Sequence, residues 1–395
     1  MNQADRQVFN TVLPAIRDSL NLTDTSVGLI ATVFNLFYAL LVPIGGWVGD
    51  RLSKKWVCTV SLIFWSIATL FTGYANGFIM LVLMRSVATG GGEAFFGPAN
   101  YSLLGDYHTD TRARAMSIHQ TAYYIGVVLA GWLAGLIADS FGWQYSFLVF
   151  GGIGIIWGII MIFRLKDKTD ASDSENQTEP KVKTPGFFEG FKVVFTTPTA
   201  LMLTIGFSGL IFVLTGYMTW MPTYLHETFG QSLAGAGFNS MFYTHIAAFA
   251  GVLIAGSVSD KVGIRRPKAR MFLQASGLIA GAPFLILMGT SDIIWIVYIG
   301  LAGFGFCRAF FDANTYTVLY DVTPKRLHAS CSSVMIMTGF GVGALAPVVL
   351  GIMKQSFGLD FAFASLAIIW IICGLLMAAV ANKSYQNDYN NINNR

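Results

Sequence analysis

The chain has 395 residues, 54% of them hydrophobic and only 12% charged, with a mean hydropathy of +0.59. A soluble domain carries about 25% charged residues, so a single water-facing globule is excluded. The formal net charge of +4 says little about partners, because the basic residues are sorted along the chain in the way a membrane sorts them.

In chain order, residues 1–20 contain Asp5, Arg6, Asn10 and Arg17, and they offer no apolar run of spanning length and no signal peptide. Apolar stretches long enough to cross a bilayer follow near 24–50, 56–74, 77–106, 113–139, 143–164, 197–225, 233–259, 271–289, 293–320, 328–353 and 359–381. A twelfth is expected over residues 1–20. That first helix reads as shortened at its N-terminus, its missing part preceding Met1, through a late start or a trimmed chain. Between 165 and 192 the sequence turns polar, from Lys166-Asp167-Lys168 through Ser172-Asp173-Ser174-Glu175 to Lys183, which predicts a flexible linker. The expected organisation is an all-α membrane protein with a six-helix bundle over 1–164, a linker over 165–192, a second six-helix bundle over 193–384 and a tail over 385–395. Cys58, Cys307, Cys331 and Cys373 lie singly in apolar stretches and read as small core residues.

Orientation follows from Lys and Arg. Arg51, Lys54 and Lys55, then Arg112 and Arg114, then Arg164 to Lys192, Lys261 to Arg270, Lys325 with Arg326, and Lys383 with Arg395 all fall on alternate connections. Both tails and the linker are therefore expected in the cytoplasm, in a plasma membrane of the bacterial inner-membrane type.

A loop signature occurs twice. Gly46-Trp47-Val48-Gly49-Asp50-Arg51-Leu52-Ser53-Lys54-Lys55 joins two apolar helices, and about 210 residues later comes Gly256-Ser257-Val258-Ser259-Asp260-Lys261-Val262-Gly263-Ile264-Arg265-Arg266. The duplication implies two homologous halves with a path between them. The signature resembles the loop motif of the major facilitator superfamily. The resemblance implies that Gly46, Asp50 and Arg51 in one copy, and Gly256, Asp260 and Lys261 in the other, latch a cytoplasmic gate.

Arg6, Arg85 and Arg308, with Asp5, Glu93 and Asp312, fall inside expected spans. A charge at the bilayer centre costs at least about 2.5–3.5 kcal/mol, so these groups face a wet cavity or one another. The competing reading is a set of ion pairs that merely hold helices together. Asn2-Gln3-Ala4-Asp5-Arg6 resembles the Asn-Tyr-x-Asp-Arg signature of the spinster-like and anion:cation symporter branches, with Gln3 in place of the Tyr. Leu13-Pro14-Ala15-Ile16 and Ser26-Val27-Gly28-Leu29 are similar to those branches too. The resemblance implies a proton-titrating or gating carboxylate at Asp5; a static pair with Arg6 is the alternative.

Arg85 to Asn100, with the run Thr89-Gly90-Gly91-Gly92-Glu93-Ala94, resembles the same branches, where Arg and Glu stand seven apart. Here they stand eight apart. Eight steps of about 100° rotate by about 80° and rise about 12 Å, so the two occupy stacked levels unless the helix is locally overwound. Glu93 is the second expected proton carrier, and Arg85 either attracts anions or keeps Glu93 ionised. The glycines also suit tight helix packing. Arg308 and Asp312 are i, i+4 and share a face, and Ala313-Asn314 echoes Ala99-Asn100. They form either an intrahelical pair or one that opens when a substrate carboxylate takes the Arg. Arg85 and Arg308 together would clamp an anion from both halves.

His119 with Tyr123, Gln120 with Tyr124, Asn35 with Tyr38, and Tyr217 with Trp220 lie three or four apart. Such amide and aromatic rows suit a polyhydroxylated ligand, although interfacial aromatics and a core histidine explain them equally. Gly126 to Gly135 lacks the proline that drug antiporters of the superfamily carry there. No Walker sequence, zinc spacing or nucleophile elbow appears, so neither enzyme nor ATP-driven pump is supported, and no cofactor, metal or nucleic-acid partner is expected. The expectation is a monomeric, proton-coupled symporter of a small organic anion, with sugar acids foremost, working by alternating access. A spinster-like lysolipid carrier is the first rival, and a non-transporting solute sensor the second.

Overall fold

The computed structural model describes residues 2–49, 51–108, 112–166, 187–263 and 266–393. Every regular element among the described residues is helical. In chain order these are α1 (Asn2–Ser19), α2 (Asp24–Gly49), α3 (Lys54–Thr72) and α4 (Phe78–Leu81). The chain then runs unbroken through a π-helical turn (Val82–Ala88) into α5 (Thr89–Tyr107), and on to α6 (Arg112–Phe141) and α7 (Trp143–Arg164). The second series is α8 (Phe187–Thr196), α9 (Pro198–Phe229), α10 (Leu233–Gly263), α11 (Ala269–Thr290), α12 (Ile294–Asp312), α13 (Thr315–Asp321), α14 (His328–Gly343), α15 (Ala346–Lys383) and α16 (Tyr385–Asn393). By packing, residues 1–184 with 230–238 form one unit, and 185–229 with 239–395 form the other.

Ten segments among the described residues are long and apolar enough to cross a bilayer. The last, Ser330–Lys383, is really two spans. Gly358, at φ 85° and ψ 163°, breaks α15 in a conformation only glycine enters cheaply. Each of the eleven apolar stretches thus finds its helix.

Hydropathy misses α1 for a physical reason. Val8, Val12, Leu13 and Ile16 are fully buried, and so are Gln7 and Thr11 on its other faces. A helix wrapped by protein need not be soluble in lipid, so its composition is free to be polar. Arg17 closes its C-terminal end on Asp18 (2.6 Å) and on Asp24 (3.0 Å), the first residue of α2. Thr23 caps α2 by accepting from Ser26 N (3.1 Å), and Ser53 caps α3 by accepting from Trp56 N (3.3 Å).

Unit 1 packs through small residues. A Cβ at Gly45 of α2 would stand 2.6 Å from Ala94 O of α5, and one at Gly151 of α7 would stand 2.6 Å from Leu70 N of α3. Outward faces carry large apolar side chains such as Leu40, Ile79 and Phe163, which suits lipid. Unit 2 is centred on rings: Tyr217 on Phe304 at 5.0 Å, and Phe304 stacked on Trp370 at 5.0 Å. Its C-terminal helix is tied down at two points. Tyr385 OH donates to Asp321 Oδ2 (2.8 Å), which also accepts from Arg270 Nη1 (3.0 Å), and Asp388 Oδ2 accepts from Thr199 N (3.0 Å) and Oγ1 (2.6 Å). Burial, then the Asp321 carboxylate, pushes the Tyr385 phenol up. All four cysteines are buried and free.

Candidate functional site

Unit 1 buries four charges where α1, α2 and the π-turn with α5 meet. Asp5 and Arg6 are neighbours in sequence but not partners. Asp5 Oδ2 accepts from Trp65 Nε1 of α3 (2.8 Å), while Arg6 Nε donates to Glu93 Oε2 of α5 (2.8 Å). Glu93 is fully buried and the Arg6 side chain is 15% exposed. The partner of Glu93 is therefore Arg6, across 87 positions of sequence, rather than Arg85 on its own helix. Glu93 nonetheless lies within electrostatic reach of both guanidiniums.

Arg85 is 4% exposed, and its Nε and Nη1 have no hydrogen-bond partner. Its guanidinium carbon sits 4.2 Å from the Phe34 ring centroid and 5.0 Å from that of Phe9. Arg6 stacks similarly, 4.1 Å over Tyr38 and 4.9 Å over Phe34. The rings carry the cations in a dry setting while leaving Nε and Nη1 of Arg85 without a hydrogen-bond partner. Asp5 Oδ1, Glu93 Oε1 and Arg6 Nη2 are likewise buried without a partner. Such a group of half-satisfied charges is costly to hold and chemically suited to receive a carboxylate, which a guanidinium grips in bidentate fashion.

The eight-residue gap between Arg85 and Glu93 is explained by the backbone. Residues Val82–Ala88 form a π-turn, with Thr89 N–H bonded back to Met84 O. A π-turn is one residue inserted into an α-helix. Eight steps through it rotate about as far as seven in an α-helix, about 700°, which leaves Arg85 and Glu93 within about 20° of one face. The spacing implies stacked levels about 80° apart, or local overwinding as the exception, whereas the helix is underwound.

A cavity of about 350 Å³ opens beside this centre in unit 1, lined by Gln3, Tyr38, Trp65, Asn100, His119 and Tyr123 among others. His119 meets Tyr101 edge-on at 5.2 Å, and Tyr123 meets Tyr124 edge-on at 5.5 Å. Tyr124 is not in the cavity wall. Asn35 donates to Ala31 O in its own helix (2.9 Å). The Gln120 side chain lies outside the described residues.

In unit 2, Arg308 Nε lies 3.3 Å from Asp312 Oδ2 in an i, i+4 ion pair that lacks hydrogen-bond geometry. Arg308 is buried and Asp312 is 37% exposed. Asn314 sits at the break between α12 and α13, where its Oδ1 accepts from Ser259 Oγ and its Nδ2 donates to Phe310 O (3.0 Å). Tyr217 is fully buried, with its OH bonded to Ser240 O and Thr244 Oγ1. His245 Nδ1 donates to Met241 O (2.8 Å).

Of the loop residues, Gly46 faces Pro98 Cβ loosely, and Gly256 has open space where a Cβ would stand. The close approach in the first copy belongs to Gly45, one residue earlier. Arg51 stacks on Trp47 at 4.0 Å. Asp260 and Lys261 are exposed at the end of α10, and Asp50 lies outside the described residues. Sequence reasoning also missed Phe9, Phe34 and Trp65. Nothing marks an aromatic as a platform until its cation is placed.

The sequence profile of the Major Facilitator Superfamily matches residues 1–347. The chain belongs to the major facilitator superfamily. Among relatives of this facilitator, a probable L-galactonate transporter of Escherichia coli K12 is 25% identical over 394 residues, covering 96% of this chain and 85% of that one. Protein spinster homolog 1 of Xenopus laevis is 28% identical over 302 residues, covering 73% of this chain and 57% of that protein. A crystal structure of a bacterial homolog to the human lysosomal transporter spinster, inward-facing and unoccupied, superposes with a TM-score of 0.79 at 24% identity, covering 100% of this chain and 95% of that one. This facilitator is an integral, multi-pass membrane transporter with the fold the duplicated loop implies.

Proposed function

We propose that this facilitator is a proton-coupled symporter of a small organic anion, specifically a sugar acid, with both termini in the cytoplasm. The observation that carries the reading is the buried centre of unit 1, where Arg85 presents two unpartnered N–H groups beside the Arg6–Glu93 pair. The substrate carboxylate takes an unpartnered N–H of Arg85. Protonation of Glu93 removes the negative charge that holds Arg6, so Arg6 becomes available to the same anion, and Asp5 supplies a second protonatable carboxylate. Tyr38, His119 and Tyr123 line the adjoining cavity and offer rings and polar atoms to a hydroxylated chain. The similarity to an L-galactonate transporter supports a sugar acid. In unit 2, Arg308 with Asp312 forms a counterpart whose pairing substrate would loosen.

The test is uptake of labelled L-galactonate into proteoliposomes under an inward proton gradient. Gradient-driven uptake in wild type, lost in Glu93→Gln, is expected. Uptake that ignores the gradient, or that survives Glu93→Gln, would sink the coupling.

One observation favours the spinster-like reading. A groove of about 690 Å³ between α2, α3 and α5 is lined by Leu41, Val60, Phe64, Phe95 and other apolar groups, and an acyl chain would fit it. Outward apolar faces are the rule in a bilayer, so the groove weighs less than the charged centre. Lysolipid movement with no galactonate uptake in the same vesicles would reverse that ranking.

A further inference from the structure

Arg85 lies over Phe9 of α1 and Phe34 of α2, yet no side chain hydrogen-bonds its Nε or Nη1, so something other than an ionic partner fixes where its guanidinium points. The π-turn itself is held by two hydroxyls. Ser86 Oγ, fully buried, donates across to Ile30 O of α2 (2.7 Å), and Thr89 Oγ1 donates to Met84 O (2.9 Å), a carbonyl the π register shares with Thr89 N–H. Ile30 is one turn before Phe34, the nearer ring under Arg85. Gly90 completes the seat: a Cβ there would stand 3.0 Å from Phe34 O and 3.1 Å from its ring.

We infer that Ser86 and Thr89 are positioning residues for Arg85, which hold a one-residue insertion as a π-turn so that its guanidinium shares a face with Glu93. Without them the inserted residue relaxes toward α-helical register. Arg85 and Glu93 then turn about 80° apart, and the guanidinium leaves its rings. Neither hydroxyl touches the anion; both act through the backbone that carries Arg85. The inference rests on the reading that Arg85 receives the anion.

Four variants of the full chain test it, with L-galactonate as the probe. Ser86→Ala combined with Thr89→Val is expected to raise KM for uptake by about tenfold with little change in kcat, whereas Ser86→Thr combined with Thr89→Ser keeps both hydroxyls and behaves as wild type. Deletion of Val87 removes the insertion and sets Arg85 and Glu93 seven apart, on one face without any π-turn. In that background Ser86→Ala with Thr89→Val is expected to change KM by less than about twofold. Amide hydrogen exchange over residues 82–93 gives a readout that needs no substrate. The double substitution should accelerate exchange there, and the deletion should slow it and abolish the acceleration.

Equal losses in the two backgrounds would make the hydroxyls ordinary packing and overturn the inference. Exchange unaffected by either change would overturn it as well. Wild-type protein that takes up no galactonate would instead remove the sugar-acid reading, while the exchange measurement still decides the role of the two hydroxyls.

Discussion

The two units solve the same problem, charge inside a membrane, in opposite ways. Unit 2 keeps its pair on one helix: Arg308 and Asp312 are four residues apart, and Asp312 is 37% exposed. Such a pair forms as soon as the helix does. Unit 1 joins Arg6 of α1 to Glu93 of α5 with the acid fully buried, and leaves Arg85 beside them with nitrogen atoms unmatched. That arrangement exists only after the bundle assembles, and each broken contact strands a charge. Arg308 Nε is also buried without a hydrogen-bond partner, but its carboxylate stands on the same helix, whereas unit 1 leaves atoms of all four charged residues of its centre unmatched. Unit 1 is therefore the half in which the protons are expected to act and the first anion contact to form, with the Arg308–Asp312 pair of unit 2 loosening as substrate binds.

The largest test of this contrast is Arg6→Met. Removing one partner of a buried pair costs roughly 3–5 kcal/mol because the other charge remains. The thermal unfolding midpoint in detergent should drop accordingly, and adding Glu93→Gln to Arg6→Met should recover much of it. A drop no larger than for a surface substitution would show that Glu93 already reaches water, and the two units would no longer differ in kind.

Smaller is the effect expected in the duplicated loop. A Cβ at Gly45 would press on the Ala94 carbonyl and on Phe95 Cα at 2.6 and 2.8 Å, whereas one at Gly46 would have only Pro98 Cβ at 3.9 Å, and one at Gly256 nothing within 4 Å. Gly45→Ala should cost about 1–3 kcal/mol through backbone displacement. Gly46→Ala and Gly256→Ala should be neutral or slightly stabilising. Equal effects at all three, measured by thermal unfolding, would mean that the two copies pack alike.

What could be read beforehand follows from what each signal measures. Hydropathy reports exposure to lipid, so every lipid-facing span was visible, down to the break at Gly358, while α1 gave no hydropathy signal because protein rather than lipid surrounds it and was expected only as the missing twelfth helix. The intramembrane charges stood out because they violate that same rule. Their pairing did not. Asp5 beside Arg6, and Arg85 on the helix of Glu93, are the neighbours sequence offers, yet Trp65 and Arg6 are the partners the bundle supplies. The eight-residue gap was legible as an anomaly, but a spacing counts residues and cannot say whether a helix absorbs the extra one by tightening or by widening. Gly45 hid behind Gly46 for a similar reason, since the face a glycine presents is decided by the helix packed on it.

The smallest expected effect closes the contrast from the other side. Asp312→Asn removes a carboxylate that is partly exposed and 3.3 Å from Arg308 without hydrogen-bond geometry, and it leaves an amide oxygen in the same place. An exposed i, i+4 pair is worth about 0.3–0.5 kcal/mol; here Asp312 is 37% exposed but Arg308 only 6%, so the unfolding midpoint should fall by more than that and by less than for Arg6→Met. Uptake should persist with its proton dependence intact, because no proton is assigned to this pair. A loss approaching that of Arg6→Met would mean that Arg308 depends on Asp312 as strictly as Glu93 depends on Arg6. Both units would then carry stranded charge, and the assignment of proton coupling to unit 1 alone would have to be given up in favour of a shared centre.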